Sequence, residues 1–216
     1  MRILRTAVRL AVLLCLTGCG PAPQVETVRL RILVDDNGTL HYGSSVIRLS
    51  CIPAQNRLTG LSTHNCDIDG EAVPVELGQN RVLVMTFTHP GDLDYDGITE
   101  TIRTSRDPTE LMSPDEAWPI AADKLTLLVT FTDRTKPATV KAVDPTALDK
   151  AFGPGVILRS LTAEPSDDPV THGQIERALP WLHGFNTMLD GETDISTPAL
   201  KSRLRAIDFE RHPLRK

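Results

Sequence analysis

The chain has 216 residues, of which 40% are hydrophobic, 24% are charged and 4% are aromatic, and its formal net charge is −5. These values are typical of a globular protein with one moderate domain or two small ones. They exclude collagen, a disordered acidic chain and a bundle of membrane helices. The negative charge also argues against nucleic acid as a partner, because phosphate would repel it.

The N-terminal segment is basic and then apolar. Its basic residues are Arg2, Arg5 and Arg9, and an apolar stretch follows over residues 10–16. A transmembrane helix needs about 20 apolar residues, so this stretch is too short to cross a bilayer. A basic region followed by a short apolar region is typical of a signal peptide, and we predict that residues 1–18 form one.

The signal segment ends in Leu16-Thr17-Gly18-Cys19. A Leu, two small residues and a Cys in this position resemble the lipobox of bacterial lipoproteins. The resemblance implies that diacylglycerol is attached to Cys19, that cleavage makes Cys19 the first residue, and that the lipid holds the chain on a membrane. Gly20 stands where lipoproteins retained in the inner membrane of enteric bacteria typically carry Asp. In a Gram-negative cell the resemblance therefore implies the outer membrane, facing the periplasm. The alternatives are a plain secretory signal with a chance Cys and a buried N-terminal strand.

Cysteine usage is consistent with export. Cys15 belongs to the signal segment and Cys19 to the lipobox, which leaves Cys51 and Cys66. Disulfides persist in the periplasm and outside the cell. We predict a Cys51–Cys66 disulfide, and two free buried thiols are the alternative.

Alternating apolar residues predict strands after a short tether over 19–26. The first predicted strand carries Val28, Leu30, Ile32 and Val34. Asn37-Gly38 then favours a type I′ turn, because both residues accept positive φ, and the return strand is predicted over 40–49. Further strands are predicted over 73–77, 82–88, 125–131 and 156–161. Pro74 lacks an N–H and should lie on a sheet edge.

Start signals predict four helices, mostly later in the chain. Pro114, Pro145 and Pro198 each follow a residue that suits an N-cap, and Thr171-His172-Gly173 precedes a helix that Pro180 must end or kink. The last helix would place Leu200, Leu204 and Ile207 on one face. The sequence thus predicts an α+β fold with a β-rich antiparallel N-terminal part built from hairpins, over 27–165. A small helical C-terminal lobe over 166–216 is predicted to pack on it.

Three blocks, over 43–47, 70–77 and 171–182, are similar to blocks in uncharacterised bacterial proteins. The resemblance spans most of the chain after the signal segment. It implies a common fold and carries no known activity.

The acidic segment from Asp92 to Glu100 is the best candidate for a chemical site. Its Asp-x-Asp-x-Asp-Gly pattern resembles the calcium loops of EF-hands and integrin-type propellers, because alternate carboxylates on a tight turn converge on one point. The resemblance implies that Asp92, Asp94 and Asp96 bind Ca²⁺ directly, that Ile98 binds through its carbonyl, and that Glu100 binds directly or through water. Arg103 stands at position 12, where an EF-hand has its bidentate Glu. A solvated acidic turn is the alternative.

No motif identifies a reaction. The six histidines are scattered and have no short metal-ligand spacing, so the sequence does not favour a histidine metal site. We expect a lipid-anchored envelope protein that binds or supports another envelope protein. The alternative is a periplasmic hydrolase, with or without structural calcium, whose catalytic residues no motif reveals.

Overall fold

A computed structural model describes residues 22–55, 62–90, 97–106, 116–193 and 197–212. Within these ranges the chain forms ten strands: β1 (Gln24–Asp36), β2 (Thr39–Gln55), β3 (Ser62–Glu71), β4 (Val73–Glu76), β5 (Val82–Met85), β6 (Trp118–Pro119), β7 (Leu128–Phe131), β8 (Val140–Val143), β9 (Val156–Pro165) and β10 (Glu210–Arg211). The α-helices are α1 (Gly97–Ser105), α2 (Asp149–Phe152) and α3 (Gln174–Ala178). Four 3₁₀ turns are Ala122–Lys124, Pro137–Thr139, Leu200–Ser202 and Ala206–Asp208. Two antiparallel sheets with a few small helices confirm the predicted β-rich α+β class.

A six-stranded sheet has the order β10-β3-β2-β1-β9-β6. Its centre is the predicted hairpin, in which Val28, Leu30, Ile32 and Val34 of β1 are all buried. Asn37 (φ 52°) and Gly38 (φ 89°) both occupy the left-handed region, as a type I′ turn requires. The return strand β2 is longer than predicted and continues to Gln55.

A four-stranded sheet has the order β4-β5-β7-β8, with Pro74 on the edge strand β4 as predicted. Strand β5 stops at Met85 and β7 starts at Leu128, inside the predicted ranges. The two segments still form hydrogen bonds beyond these strand ends: the Thr86 N–H donates to the Leu127 carbonyl, and the Leu127 N–H donates to the Thr88 carbonyl. The Thr86 hydroxyl also donates to the Leu127 carbonyl (2.9 Å), and the regular ladder ends where this side chain shares the acceptor.

The four-stranded sheet is the middle of three layers. Successive residues of β5 alternate between two apolar clusters, with Leu83 and Met85 in one and Val82 and Val84 in the other. The first cluster, the inter-sheet core, packs the two sheets face to face. The second, the outer core, packs the four-stranded sheet against the chain after β9. This double burial explains why every residue of β5 and β7 is buried.

Two predicted helices are wrong where the structure describes them. Residues 116 and 117 are not helical, and Trp118–Pro119 forms β6 on β9 with Ile120 N–H donating to the Leu161 carbonyl (2.9 Å). The pairing of β6 with β9 and the burial of Trp118 outweigh the local signal for the start of a helix. The residues of that signal, 113–115, lie outside the described ranges. The predicted helix from Pro198 is instead the two 3₁₀ turns Leu200–Ser202 and Ala206–Asp208.

The two other predicted helices form, but they are short. Helix α2 begins only at Asp149, because the Asp144 carboxylate accepts both the N–H and the hydroxyl of Thr146 in a local turn. It ends at Phe152, and Gly153 (φ 101°) follows as its C-cap. Helix α3 ends at Ala178, two residues before Pro180. No helix in the described parts of the chain is both long and apolar enough to cross a membrane.

Candidate functional site

Two histidines and two carboxylates converge at the β10 edge of the six-stranded sheet. Asp69 lies on β3, and β10 pairs with β3 so that Arg211 stands opposite Gly70. One more residue along this register places His212 beside Asp69, while Glu210 stands opposite Glu71. His172 reaches the same place from the connection between β9 and α3. We call Asp69, His172, Glu210 and His212 the edge cluster.

The nitrogen and oxygen atoms of the edge cluster lie close together. His172 Nε2 is 3.3 Å from Asp69 Oδ1, and His172 Nδ1 is 3.9 Å from Glu210 Oε1. His212 Nε2 is 3.4 Å from the same Glu210 oxygen. The imidazole rings stack with centroids 5.1 Å apart and planes inclined by 25°. One ligand atom each from Asp69, His172 and His212 all fall within 4.8 Å of one another.

The connection that carries His172 is fixed on both sides. Before it, the Thr171 hydroxyl accepts the Val46 N–H (2.8 Å) and the Thr171 N–H donates to the Val46 carbonyl (2.9 Å). After it, the buried carboxylate of Glu71 accepts the N–H groups of Gln174 (2.9 Å) and Ile175 (3.1 Å). The predicted cap of α3 by its own preceding residues is therefore wrong: a carboxylate from β3 caps the helix.

Burial governs the electrostatics beneath the edge cluster. It raises the pKa of Glu71, which the two backbone donors and the nearby imidazole of His172 partly oppose. It also raises the pKa of Glu210, where the Glu176 charge adds to the effect and His212 and His172 oppose it. Asp69, Glu71 and Glu210 thus place three carboxyl groups at one sheet edge, an arrangement that attracts a cation.

The two carboxylate oxygens of Asp69 face different side chains. Its Oδ2 lies 3.9 Å from Arg48 Nη1, whereas its Oδ1 faces His172. Oδ1 is shielded from solvent and has no hydrogen-bond partner among the described residues. A buried carboxylate oxygen without a hydrogen bond is costly, and a donor or a cation at this position would satisfy it.

The edge cluster opens onto solvent. Glu210 and His212 line a cavity of about 610 Å³ that also contacts Asp67, Phe185 and Arg205. A second cavity, of about 680 Å³, is lined by residues that include Arg29, Tyr42, Thr171 and Arg177. The cluster is therefore accessible to a small ligand.

The structure confirms the predicted disulfide. Cys51 on β2 and Cys66 on β3 stand directly opposite each other and their sulfurs are bonded. The bond lies in the same pair of strands that carries Asp69. Cys19 lies outside the described residues, so lipidation stays a prediction.

The predicted calcium loop is described only at its C-terminal end. Asp92, Asp94 and Asp96 lie outside the described residues. Ile98 lies in the first turn of α1, where its side chain is fully buried and its N–H donates to the Phe87 carbonyl (2.9 Å). Glu100 is exposed on the same helix and pairs with Arg103. Calcium binding by this segment stays a prediction.

Sequence spacing did not identify the edge cluster, because its members come from three distant parts of the chain. His172 and Asp69 are brought together by the pairing of Thr171 with Val46, and His212 by the pairing of β10 with β3. No short motif encodes either contact. No protein-family model matches this chain, and no match was found among curated proteins or among solved structures.

Proposed function

We propose that this chain is a lipid-anchored protein of the cell envelope whose β-rich domain binds or supports another envelope component. The observation that carries the proposal is the lipobox-like sequence from Leu16 to Cys19 behind a basic and apolar N-terminal segment. Lipid on Cys19 would hold the chain durably, because each buried methylene contributes about 0.8 kcal/mol. The Cys51–Cys66 disulfide supports the proposal, since such bonds persist in oxidising compartments.

The domain would lie close to the bilayer surface. Strand β1 begins at Gln24, only a few residues after Cys19, and an extended chain spans at most about 3.6 Å per residue. The tether is therefore shorter than the domain that it carries. A protein held this close to the membrane is suited to contact other membrane-associated components.

The outer face of the six-stranded sheet supports a binding role. Leu40 on β2 and Ile157 on β9 flank Asp35 of β1, and both are more than two-fifths exposed. Tyr42, on the same face, is 71% exposed. Neighbouring exposed apolar side chains on one sheet face are typical of a surface that contacts another protein.

The anchor is tested by replacing single cysteines in the full chain. Cys19→Ser should abolish incorporation of labelled palmitate and leave the signal segment uncleaved. Cys15→Ser is the matched control, since it removes a cysteine from the same segment outside the lipobox position. Normal labelling and processing of the Cys19→Ser protein would refute the anchor.

The partner is tested by site-specific photocrosslinking in intact cells. A crosslinker at Tyr42 should give a discrete adduct, whereas one at the exposed Lys201, on the opposite side of the layered fold, should not. An equal adduct pattern from both positions, or none from Tyr42, would contradict a binding surface on this face.

A periplasmic hydrolase is the second candidate, favoured by the opening of the edge cluster onto a cavity. The purified protein should then hydrolyse one class in a panel of ester, phosphoester and peptide substrates. His172→Gln should abolish that activity, and His183→Gln should retain it.

A further inference from the structure

The edge cluster combines imidazole nitrogens with a carboxylate oxygen, which is the donor set of zinc and related divalent ions. From this convergence we infer that the edge cluster binds a divalent transition-metal ion, with Asp69 Oδ1, His172 and His212 as ligands and Glu210 as the carboxylate that orients His212. The inference does not depend on the lipid anchor. It concerns different residues from the predicted calcium loop.

The distances match a metal site that needs little adjustment. Neighbouring ligand atoms around tetrahedral zinc lie about 3.3 Å apart, because each bond is about 2.0 Å long. His172 Nε2 and Asp69 Oδ1 are already at 3.3 Å, and the third ligand atom is within 4.8 Å. His212 is 66% exposed at its side chain, so it can rotate to close the remaining gap without disturbing the core.

Both flanks of the cluster are rigid. Thr171 is fixed to Val46 of β2, and the Glu71 carboxylate fixes the start of α3. His212 directly follows β10, and one more step of the register that pairs Arg211 with Gly70 places it opposite Asp69 of β3. A ligand set that folding has already assembled loses little conformational entropy when it binds an ion.

Glu210 is the carboxylate that lies beside the two histidines of the inferred metal site. Such histidines commonly donate their second ring N–H to a carboxylate, which fixes the tautomer and the ring orientation. Glu210 Oε1 lies 3.4 Å from one imidazole and 3.9 Å from the other. Glu210 can therefore orient the His212 ring, whereas the distance to His172 Nδ1 exceeds the length of a hydrogen bond.

The donor set selects among ions. Calcium and magnesium prefer oxygen ligands only, and two imidazoles disfavour both. Three protein ligands leave a fourth tetrahedral position open, and His212 also lines the neighbouring cavity. Water or a ligand with a basic atom would occupy this position.

Calorimetric titration of the full chain in detergent with zinc chloride tests the inference. The unaltered protein should bind about one equivalent, and His172→Gln and His212→Gln should each weaken binding at least about tenfold. His183→Gln is the matched control, because His183 also lies 3.3 Å from a carboxylate, that of Glu176, but stands outside the cluster. It should bind zinc as the unaltered protein does.

Thermal unfolding in EDTA and in zinc separates binding from folding. In EDTA the His212→Gln protein should unfold at the same temperature as the unaltered one, because this side chain is largely exposed. Zinc should raise the unfolding temperature of the unaltered and His183→Gln proteins only. Excess calcium should not displace zinc. No zinc binding, an equal loss in His183→Gln, full binding by His212→Gln, or displacement by calcium would each overturn the inference.

Discussion

The inter-sheet core and the outer core are both apolar, but they are built differently. In the inter-sheet core, alternate residues of long strands such as β1 point inward while the backbone forms a regular ladder. In the outer core, Ile175, Leu204 and Phe209 come from short helical turns and irregular segments. Here side chains satisfy backbone groups: Glu71 caps α3, and the Asp208 carboxylate accepts the Arg205 N–H (2.7 Å).

The difference shows what each core depends on. A ladder satisfies its own backbone groups, so the strands of the inter-sheet core depend mainly on the apolar pattern of their side chains. Short turns leave donors unpaired at their ends, and buried carboxylates must satisfy them. Ionisable groups therefore contribute to the stability of the outer core through the backbone donors that they satisfy.

Removing the central side chain of the outer core is expected to have the largest effect. Phe209 is fully buried, and its ring lies 5.8 Å from Trp181 and 6.2 Å from Phe131. Phe209→Ala should lower the free energy of unfolding by about 3–5 kcal/mol in urea titrations. Ile207→Ala, at a neighbouring position that is 41% exposed, is the control and should cost less than about 1 kcal/mol.

The two tryptophans can show whether the cores unfold together. Trp118 belongs to the inter-sheet core and Trp181 packs against the outer core. In the Phe209→Ala background, Trp118→Phe and Trp181→Phe leave one reporter each. In each variant the fluorescence midpoint should equal the midpoint from circular dichroism of the same protein, because β5 and β7 contribute to both cores. An earlier transition seen by Trp181 alone would show that the outer core unfolds independently.

The two cores also differ in how well the sequence predicts the segments that build them. The alternation from Val28 to Val34 and the Asn37-Gly38 turn are local signals, and the hairpin forms as they predict. After residue 197 the helical spacing of Leu200, Leu204 and Ile207 misleads, since Ile207 is exposed. The Ser202 hydroxyl donates to the Asp190 carboxylate, and the Asp208 carboxylate accepts the Arg205 N–H. These contacts favour the two separate 3₁₀ turns over one continuous helix.

The candidate site was less predictable than the fold. The Cys51–Cys66 pair followed from counting the cysteines that export would leave. His172 and His212 gave no local signal, because their proximity to Asp69 depends on the pairing of β10 with β3 and on the Thr171 contacts with β2. A strand of two residues such as β10 is too short for a periodic pattern to reveal.

Removal of the disulfide tests how much this bond between β2 and β3 stabilises the sheet beside the inter-sheet core. Cys51 and Cys66 are separated by 15 residues, and a loop of this length gives a stabilisation of about 3 kcal/mol through the lower entropy of the unfolded chain. The Cys51→Ser, Cys66→Ser double variant should be less stable by that amount in urea. The unaltered protein under reducing conditions should match it. Equal stability of the oxidised protein and the double variant would contradict this prediction.

Titration of Asp208 tests the dependence of the outer core on ionisable groups. Burial raises the pKa of Asp208 to about 6, despite the opposing Arg205 N–H and the charges of Arg211 and Arg205. The folded state therefore holds this proton more tightly than the unfolded state, whose Asp has a pKa near 3.9. The cost of burying the charge is fully present above about pH 6, decreases as the pH falls, and is absent below about pH 4.

Asp208→Asn removes this titration and keeps an oxygen that can accept the Arg205 N–H. Relative to the Asn variant, the unaltered protein should lose about 2–3 kcal/mol of unfolding free energy between pH 4 and pH 7, because each unit of pKa shift corresponds to about 1.4 kcal/mol. Urea titrations of both proteins across this range measure the difference, and the raised pKa values of Glu71 and Glu210 cancel because both proteins contain them. Parallel stability curves would show that the Asp208 carboxyl does not titrate differently in the folded state.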